Sequence, residues 1–123
     1  MGKKIPDAQM DVTLNDIKTN ADVYHICTDE PANYAGIAAL SLGSVAIEDS
    51  DFTVGDGDTS GRKITVAQQS VTPTGDGDVD HIVIADSVNE LIKGITTCTS
   101  TTVSTGVAKP FAAFDLWEIR DTA

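Results

Sequence analysis

The sequence predicts a mainly β fold, an antiparallel β-sandwich or small barrel of about seven strands with one short N-terminal helix. Three observations predict it. Fifteen Thr, eight Ser and ten Gly occur in 123 residues, and Val and Ile lead the large apolar residues; their stiff χ1 suits a pleated, half-buried surface. Turn-forming clusters recur at roughly the 8–12-residue spacing of all-β domains. Only one stretch carries a helical period. The length corresponds to a single domain, read as an extended N-terminal arm over residues 1–6 and a β-rich domain over residues 7–123.

The helical stretch runs from Asp7 to about Thr19. Met10, Leu14 and Ile17 fall at i, i+4 and i+7, which puts them on one face. Asp7 is placed to cap the start, Asp7 and Asp11 suit the positive end, Lys18 suits the negative end, and Asn20 can take a left-handed closing conformation. A helix this short is marginal alone, so its apolar stripe must dock on the sheet.

Strands follow. Asp22 to Thr28 is the first, stopped by Asp29-Glu30-Pro31. Leu40 to Ile47 is the second, followed by the acidic turn Glu48-Asp49-Ser50-Asp51. Phe52 to Val54 ends at Gly55-Asp56-Gly57-Asp58. Gly61 to Thr72 opens with Arg62-Lys63 and turns Ile64 and Val66 inward. After Pro73-Thr74-Gly75-Asp76-Gly77-Asp78, a strand from His81 to Asp86 places Ile82 and Ile84 on one face. Leu91 to Thr102 and Phe111 to Arg120 complete the set. Alternation then selects a core of Val23, Ile26, Leu42, Ile47, Phe52, Ile64, Val66, Ile82, Ile84, Leu91, Ile95, Phe114 and Ile119.

Nineteen acids against eight bases give a net charge of −11 and a pI near 4.2. That balance argues against nucleic acid and against an anionic membrane surface, since both reward clustered Lys and Arg. Hydrophobic residues make up 41% of the chain, too many for a disordered tail, and no apolar run approaches the ~20 residues of a membrane span. Met1 to Pro6 lacks the apolar stretch of a secretory signal, so none is expected. Cys27 and Cys98 read as two half-buried thiols, with one bridge between distant strands as the alternative.

No catalytic constellation is expected. There is no Gly-x-Ser-x-Gly, no phosphate-binding Gly-rich loop and no His-Glu-x-x-His. Asp76, Asp78 and Asp80 match the first ligand positions of a calcium loop, but His81 stands where Gly is needed and Ser87 where Glu is needed. Asp49, Asp51, Asp56 and Asp58 have no ligand spacing either, so solvated turns explain them and neither metal nor cofactor is expected. His25 and His81 fall within strands and read as hydrogen-bonded sheet residues. Arg62-Lys63 either anchors an acidic partner surface or pairs with neighbouring Asp, and Lys3-Lys4 forms a basic tip ahead of an acidic body.

Several strings carry a resemblance: His25-Ile26-Cys27-Thr28-Asp29-Glu30-Pro31 with Tyr34-Ala35; Asp56-Gly57-Asp58-Thr59-Ser60-Gly61-Arg62-Lys63-Ile64-Thr65-Val66; His81-Ile82-Val83-Ile84-Ala85-Asp86; and Phe114-Asp115-Leu116-Trp117-Glu118-Ile119-Arg120-Asp121. Together they resemble small structural proteins of tailed-bacteriophage virions, of the head-decoration and tail-fibre-like kind, over nearly the whole chain. The resemblance implies a short N-terminal helix with a β-rich body and no enzymatic activity. It also implies a β-bulge in the last strand, where the pattern lacks an equivalent of Trp117. The expected role is a capsid decoration (cement) protein on the virion surface. Its partners would be the major capsid protein and other copies of itself, as a trimer or another symmetric cluster, with no nucleic acid and no membrane. Lys3, Lys4, Ile5, Arg62 and Lys63 are the candidate capsid contacts. A tail-tip or tail-fibre-associated protein touching a host glycan is the alternative, and a ligand-binding or enzymatic β-domain the third class.

Overall fold

Residues 6–58 and 61–119 are described by the computed structural model of the chain. Helix α1 (Asp7–Asn20) buries Met10, Leu14 and Ile17, the stripe its period predicts. Its ends differ from expectation. Asp7 is the first helical residue, not the cap; Pro6 precedes it in extended conformation, and the Pro6 carbonyl accepts from the N–H groups of Gln9 and Met10. Asn20 does not turn left-handed. Its side chain donates to Asp16, and Ala21, extended and buried, leads directly into the first strand.

Nine strands follow among the described residues: β1 (Val23–Cys27), β2 (Ser41–Ala46), β3 (Phe52–Asp56), β4 (Arg62–Val66), β5 (Gln69–Val71), β6 (Gly77–Asp86), β7 (Leu91–Val103), β8 (Lys109–Phe111) and β9 (Phe114–Ile119). Two of the expected strands are each split, giving β4 with β5 and β8 with β9. The strands form a four-stranded sheet in the order β2-β1-β6-β7, a three-stranded sheet β3-β4-β9 and a ribbon β5-β8. All pairings are antiparallel. The two sheets face each other as a sandwich, not a closed barrel, and α1 packs against β3 and β4.

Strand alternation fills the space between the sheets. Tyr24 and Ile26 of β1, Ile82 and Ile84 of β6, Ile64 and Val66 of β4, and Phe52 of β3 are buried there with Leu14 and Ile17 of α1. The ribbon contributes Val71 and Phe111.

β6 is buried on both faces from Ile82 to Asp86, as its continuous apolar run would require. The second face is covered by an insertion that strand patterning did not anticipate. A 3-10 turn at Tyr34–Gly36 and the one-turn helix α2 (Ile37–Leu40) lie over the outer side of the four-stranded sheet. There Cys27, Ile37, Val83 and Ala85 form a second apolar cluster, with Val23, Tyr34, Leu40, Ile92 and Ile95 around it.

Three members of the expected core move as a result. Val23 and Ile95 belong to this outer cluster, and Leu91 is 51% exposed. In β7 the pairing jumps from Ile84↔Gly94 to Ala85↔Ile92. The extra residue, Lys93, is a β-bulge that inverts the alternation on its N-terminal side. Gly94 therefore takes the inward position, where an added Cβ would lie 2.8 Å from the Leu116 side chain. A second irregularity follows between Val79 and His81. Both bend a long edge strand away from straight pairing with other chains.

The bulge expected in the last strand is present. Ile64 pairs with Trp117 and Thr65 with Asp115, so Leu116 is the unpaired residue. Trp117, next to the bulge, is 48% exposed. The turn from β6 to β7 is held by Asp86, whose buried carboxylate accepts from the N–H groups of Val88 and Asn89 and from the Asn89 amide. Those donors keep the Asp86 carboxyl below its ordinary pKa.

Among the described residues the core contains one polar defect. Tyr24 is fully buried and its hydroxyl has no hydrogen-bond partner among the described residues, while its ring lies 6.4 Å from that of Phe114. An unpaired buried hydroxyl costs about 1–3 kcal/mol. Tyr24→Phe removes the hydroxyl and keeps the ring, so urea unfolding should show the variant about 1 kcal/mol more stable than the parent. A loss of stability in the same measurement would contradict this account of the hydroxyl.

Candidate functional site

Of the five expected contact residues, Lys3, Lys4 and Ile5 lie outside the described residues. Arg62 and Lys63 are described, and both are held in ion pairs. Arg62 sits at the start of β4, on the inward side with Ile64, and reaches two elements. Its Nε donates to Asp11 of α1 at 2.8 Å and its Nη1 to Asp56 of β3 at 2.8 Å. Lys63 points outward and donates to Asp58 at 2.6 Å and Asp115 at 3.1 Å. Thr65 donates to the other oxygen of Asp115, and the Asp58 N–H donates to Glu118. Lys63 and then Thr65 hold the Asp115 carboxyl below its usual range; the hydrogen bonds that Arg62 donates to Asp11 and Lys63 donates to Asp58 raise the two cations.

Of the two readings open for this pair, the structure shows internal pairing. Five acids surround two cations, so a partner approaching this side meets a net acidic face whose cations are already engaged. The Arg62–Asp11 contact also ties α1 to the sheet. Pairs this exposed are worth only about 0–1 kcal/mol each, so they orient the face more than they stabilise it.

Of the three acids that begin like a calcium loop, only Asp76 lies outside a strand. Asp78 and Asp80 lie in β6, where Asp78 accepts from Thr102 and Asp80 bonds His81 Nδ1 at 2.7 Å. Asp76 accepts from the N–H and hydroxyl of Thr105, which lowers its pKa. Each carboxylate serves a different neighbour. Among the described residues no three His, Cys, Asp or Glu side chains gather as a metal-binding group.

Cys27 and Cys98 are free thiols. They lie on opposite faces of the four-stranded sheet, Cys27 in the outer cluster and Cys98 against the main core, which excludes the alternative bridge. Burial pushes Cys27 up to about 11 and raises Cys98 as well, so neither is poised as a thiolate.

Among the described residues, two concave features stand out. The first lies where β7 and β9 meet, a groove of about 270 Å³ lined by Lys93, Gly94, Ile95, Leu116 and Trp117. Lys93 is paired with Asp16 of α1 at 3.0 Å. The second, of about 240 Å³, lies beside the α2 insertion and is lined by His25, Tyr34, Ala35, Ile37 and Ala38. His25 Nδ1 lies 3.2 Å from Ser41 Oγ, so His25 is hydrogen-bonded within the sheet as expected. The contact has the outline of a nucleophile and its base. Its chemistry differs: Ser41 Oγ donates to the Gly43 carbonyl, and among the described residues no carboxylate orients His25.

Sequence reasoning missed both features for the same reason. Each depends on where an irregular element sits, the bulges of β7 and β9 in one case and the insertion over β1 in the other. The signals available were small: Gly94 within a strand, and the Ala-rich run from Ala35 to Ala39.

No family model matches the chain, and no curated protein or solved structure shows significant similarity to it.

Proposed function

We propose that this chain is a capsid decoration protein of a tailed bacteriophage, which binds the shell of major capsid protein in many copies and stabilises the head. The observation that carries this reading is the chain-long resemblance of its motifs to small virion structural proteins. The architecture is the one that resemblance implies, a short N-terminal helix docked on a β-rich body. A role built on repeated contacts suits such a body, because symmetric assembly multiplies modest single-copy affinities.

In this reading the arm of residues 1–6 contacts the capsid or a neighbouring copy through Lys3, Lys4 and Ile5. The acidic face around Asp56, Asp58 and Asp115 stays toward solvent and keeps particles apart. One observation favours the alternative tail role: Trp117, half exposed beside the β7–β9 groove, is an aromatic platform of the sort a glycan contact uses.

Deleting residues 1–6 tests the capsid reading. The truncated protein should still fold cooperatively, with only the small stability loss of removing the Pro6 carbonyl from the start of α1, yet bind heads lacking this protein more weakly than the intact chain. The difference should narrow as salt screens the two lysines. Equal binding of the two forms at low salt would overturn the assignment of the arm.

A further inference from the structure

We infer that the pocket beside the α2 insertion is a binding site for a neutral aromatic group carrying one hydrogen-bond donor, a phenol ring in its simplest form. This inference stands apart from the capsid reading and does not depend on it.

The pocket's donor and acceptor pattern carries the inference. Ser41 Oγ donates its single proton to the Gly43 carbonyl at 3.0 Å and accepts from the Gly43 N–H at 3.3 Å. The hydrogen shared with His25 must therefore come from Nδ1, which assigns the ring's tautomer from its network. Nε2 keeps its lone pair and has no protein partner among the described residues; it is not one of the sealed-off unpartnered atoms of the interior, so it stays open to a ligand at the pocket that His25 lines. Burial lowers the pKa of His25, which keeps the ring neutral near pH 7.

The remaining described walls are Tyr34, Ala35, Ile37 and Ala38, with no Lys or Arg among them. A carboxylate or phosphate would find no cation among these described walls and would meet a neutral His25. A purely apolar guest would leave that acceptor desolvated and unpaired, at a cost. A flat apolar body with one O–H or N–H satisfies both halves of the site. The volume, about 240 Å³, lies below that of pockets for drug-sized ligands and suits a single ring.

The walls are also fixed in advance. The Asn33 side chain caps the Gly36 N–H at 3.0 Å, and the Thr28 N–H returns to the Leu40 carbonyl at 3.0 Å. The insertion is thus pinned to β1 at one end and capped at the other, which reduces the ordering cost of binding.

The test is a titration of the full-length, isotope-labelled protein with p-cresol, with toluene and with N-acetyltyrosinamide, followed by NMR. The expected result is a saturable shift of the His25, Tyr34 and Ile37 signals and of His25 Nε2 with p-cresol. Toluene, which lacks only the hydroxyl, should bind about fivefold to tenfold more weakly. Ala38 is exposed, so Ala38→Phe should fold and should abolish p-cresol binding by filling the pocket. His25→Phe should erase the preference for p-cresol over toluene. N-acetyltyrosinamide binding as tightly as p-cresol identifies a partner's side chain as the occupant; markedly weaker binding identifies a free small molecule. The inference is overturned if p-cresol gives no saturable shift, if toluene binds equally well, or if Ala38→Phe leaves p-cresol binding unchanged.

Discussion

Replacing Ile84 with Asp should abolish folding. Ile84 is fully buried on β6, a central strand, with Tyr24 of β1 and Gly94 of β7 as its cross-strand partners. The substitution removes a buried aliphatic side chain, worth about 2–5 kcal/mol, and places an unpaired carboxylate between the sheets at a cost of several more. A domain of this length is stable by roughly 6–18 kcal/mol, so the combined loss takes most or all of it. The variant should show no cooperative unfolding transition by circular dichroism. Val88→Asp, at a position 83% exposed in the β6–β7 turn, should melt like the parent. A soluble, cooperatively folded Ile84→Asp protein would mean that the inward face of β6 is misassigned.

The second large effect concerns α1. Leu14→Ala should destabilise the protein by about 3–5 kcal/mol. Leu14 is fully buried between α1 and the sandwich, flanked by Met10 and Ile17, and a helix of this length has little stability of its own. Truncating the middle residue of its apolar stripe leaves a cavity that two neighbours cannot close. Val12→Ala, at a position 62% exposed on the same helix, should change stability by no more than about 0.5 kcal/mol. Chemical denaturation of the two variants side by side makes the comparison. A loss below about 1 kcal/mol for Leu14→Ala would contradict the docking of α1 as the end of the main core.

What could be read from the residues was whatever followed a regular period. The Met10, Leu14 and Ile17 stripe, the inward Ile64 and Val66, and the inward Ile82 and Ile84 all follow from simple alternation, and the structure places them as expected. The failures cluster where the period breaks. Lys93 is one extra residue in β7, and it puts Leu91 and Ile95, which simple alternation places on one face, on opposite faces, Ile95 in the outer cluster and Leu91 exposed. Leu116 is the extra residue in β9, and there the bulge was expected.

The outer cover of the four-stranded sheet was illegible for another reason. Seven residues, Tyr34 to Leu40, are too few for a helical period to show, yet they bury Cys27, Val83 and Ala85 and shape the His25 pocket. The candidate contacts were half legible. Arg62 and Lys63 stood out as an adjacent basic pair, but their partners Asp11 and Asp115 lie 51 and 52 residues away in the chain. Only the fold brings them together.

The central claim is that this chain coats a phage head, and locating it in purified virions tests that claim most directly. A reconstruction of the particle, with a stained gel for stoichiometry, gives position and copy number together. The account predicts density for the β-sandwich at regular positions over the capsid shell, in an amount comparable to the major capsid protein. Finding the chain on the tail alone, or absent from the particle, would contradict it.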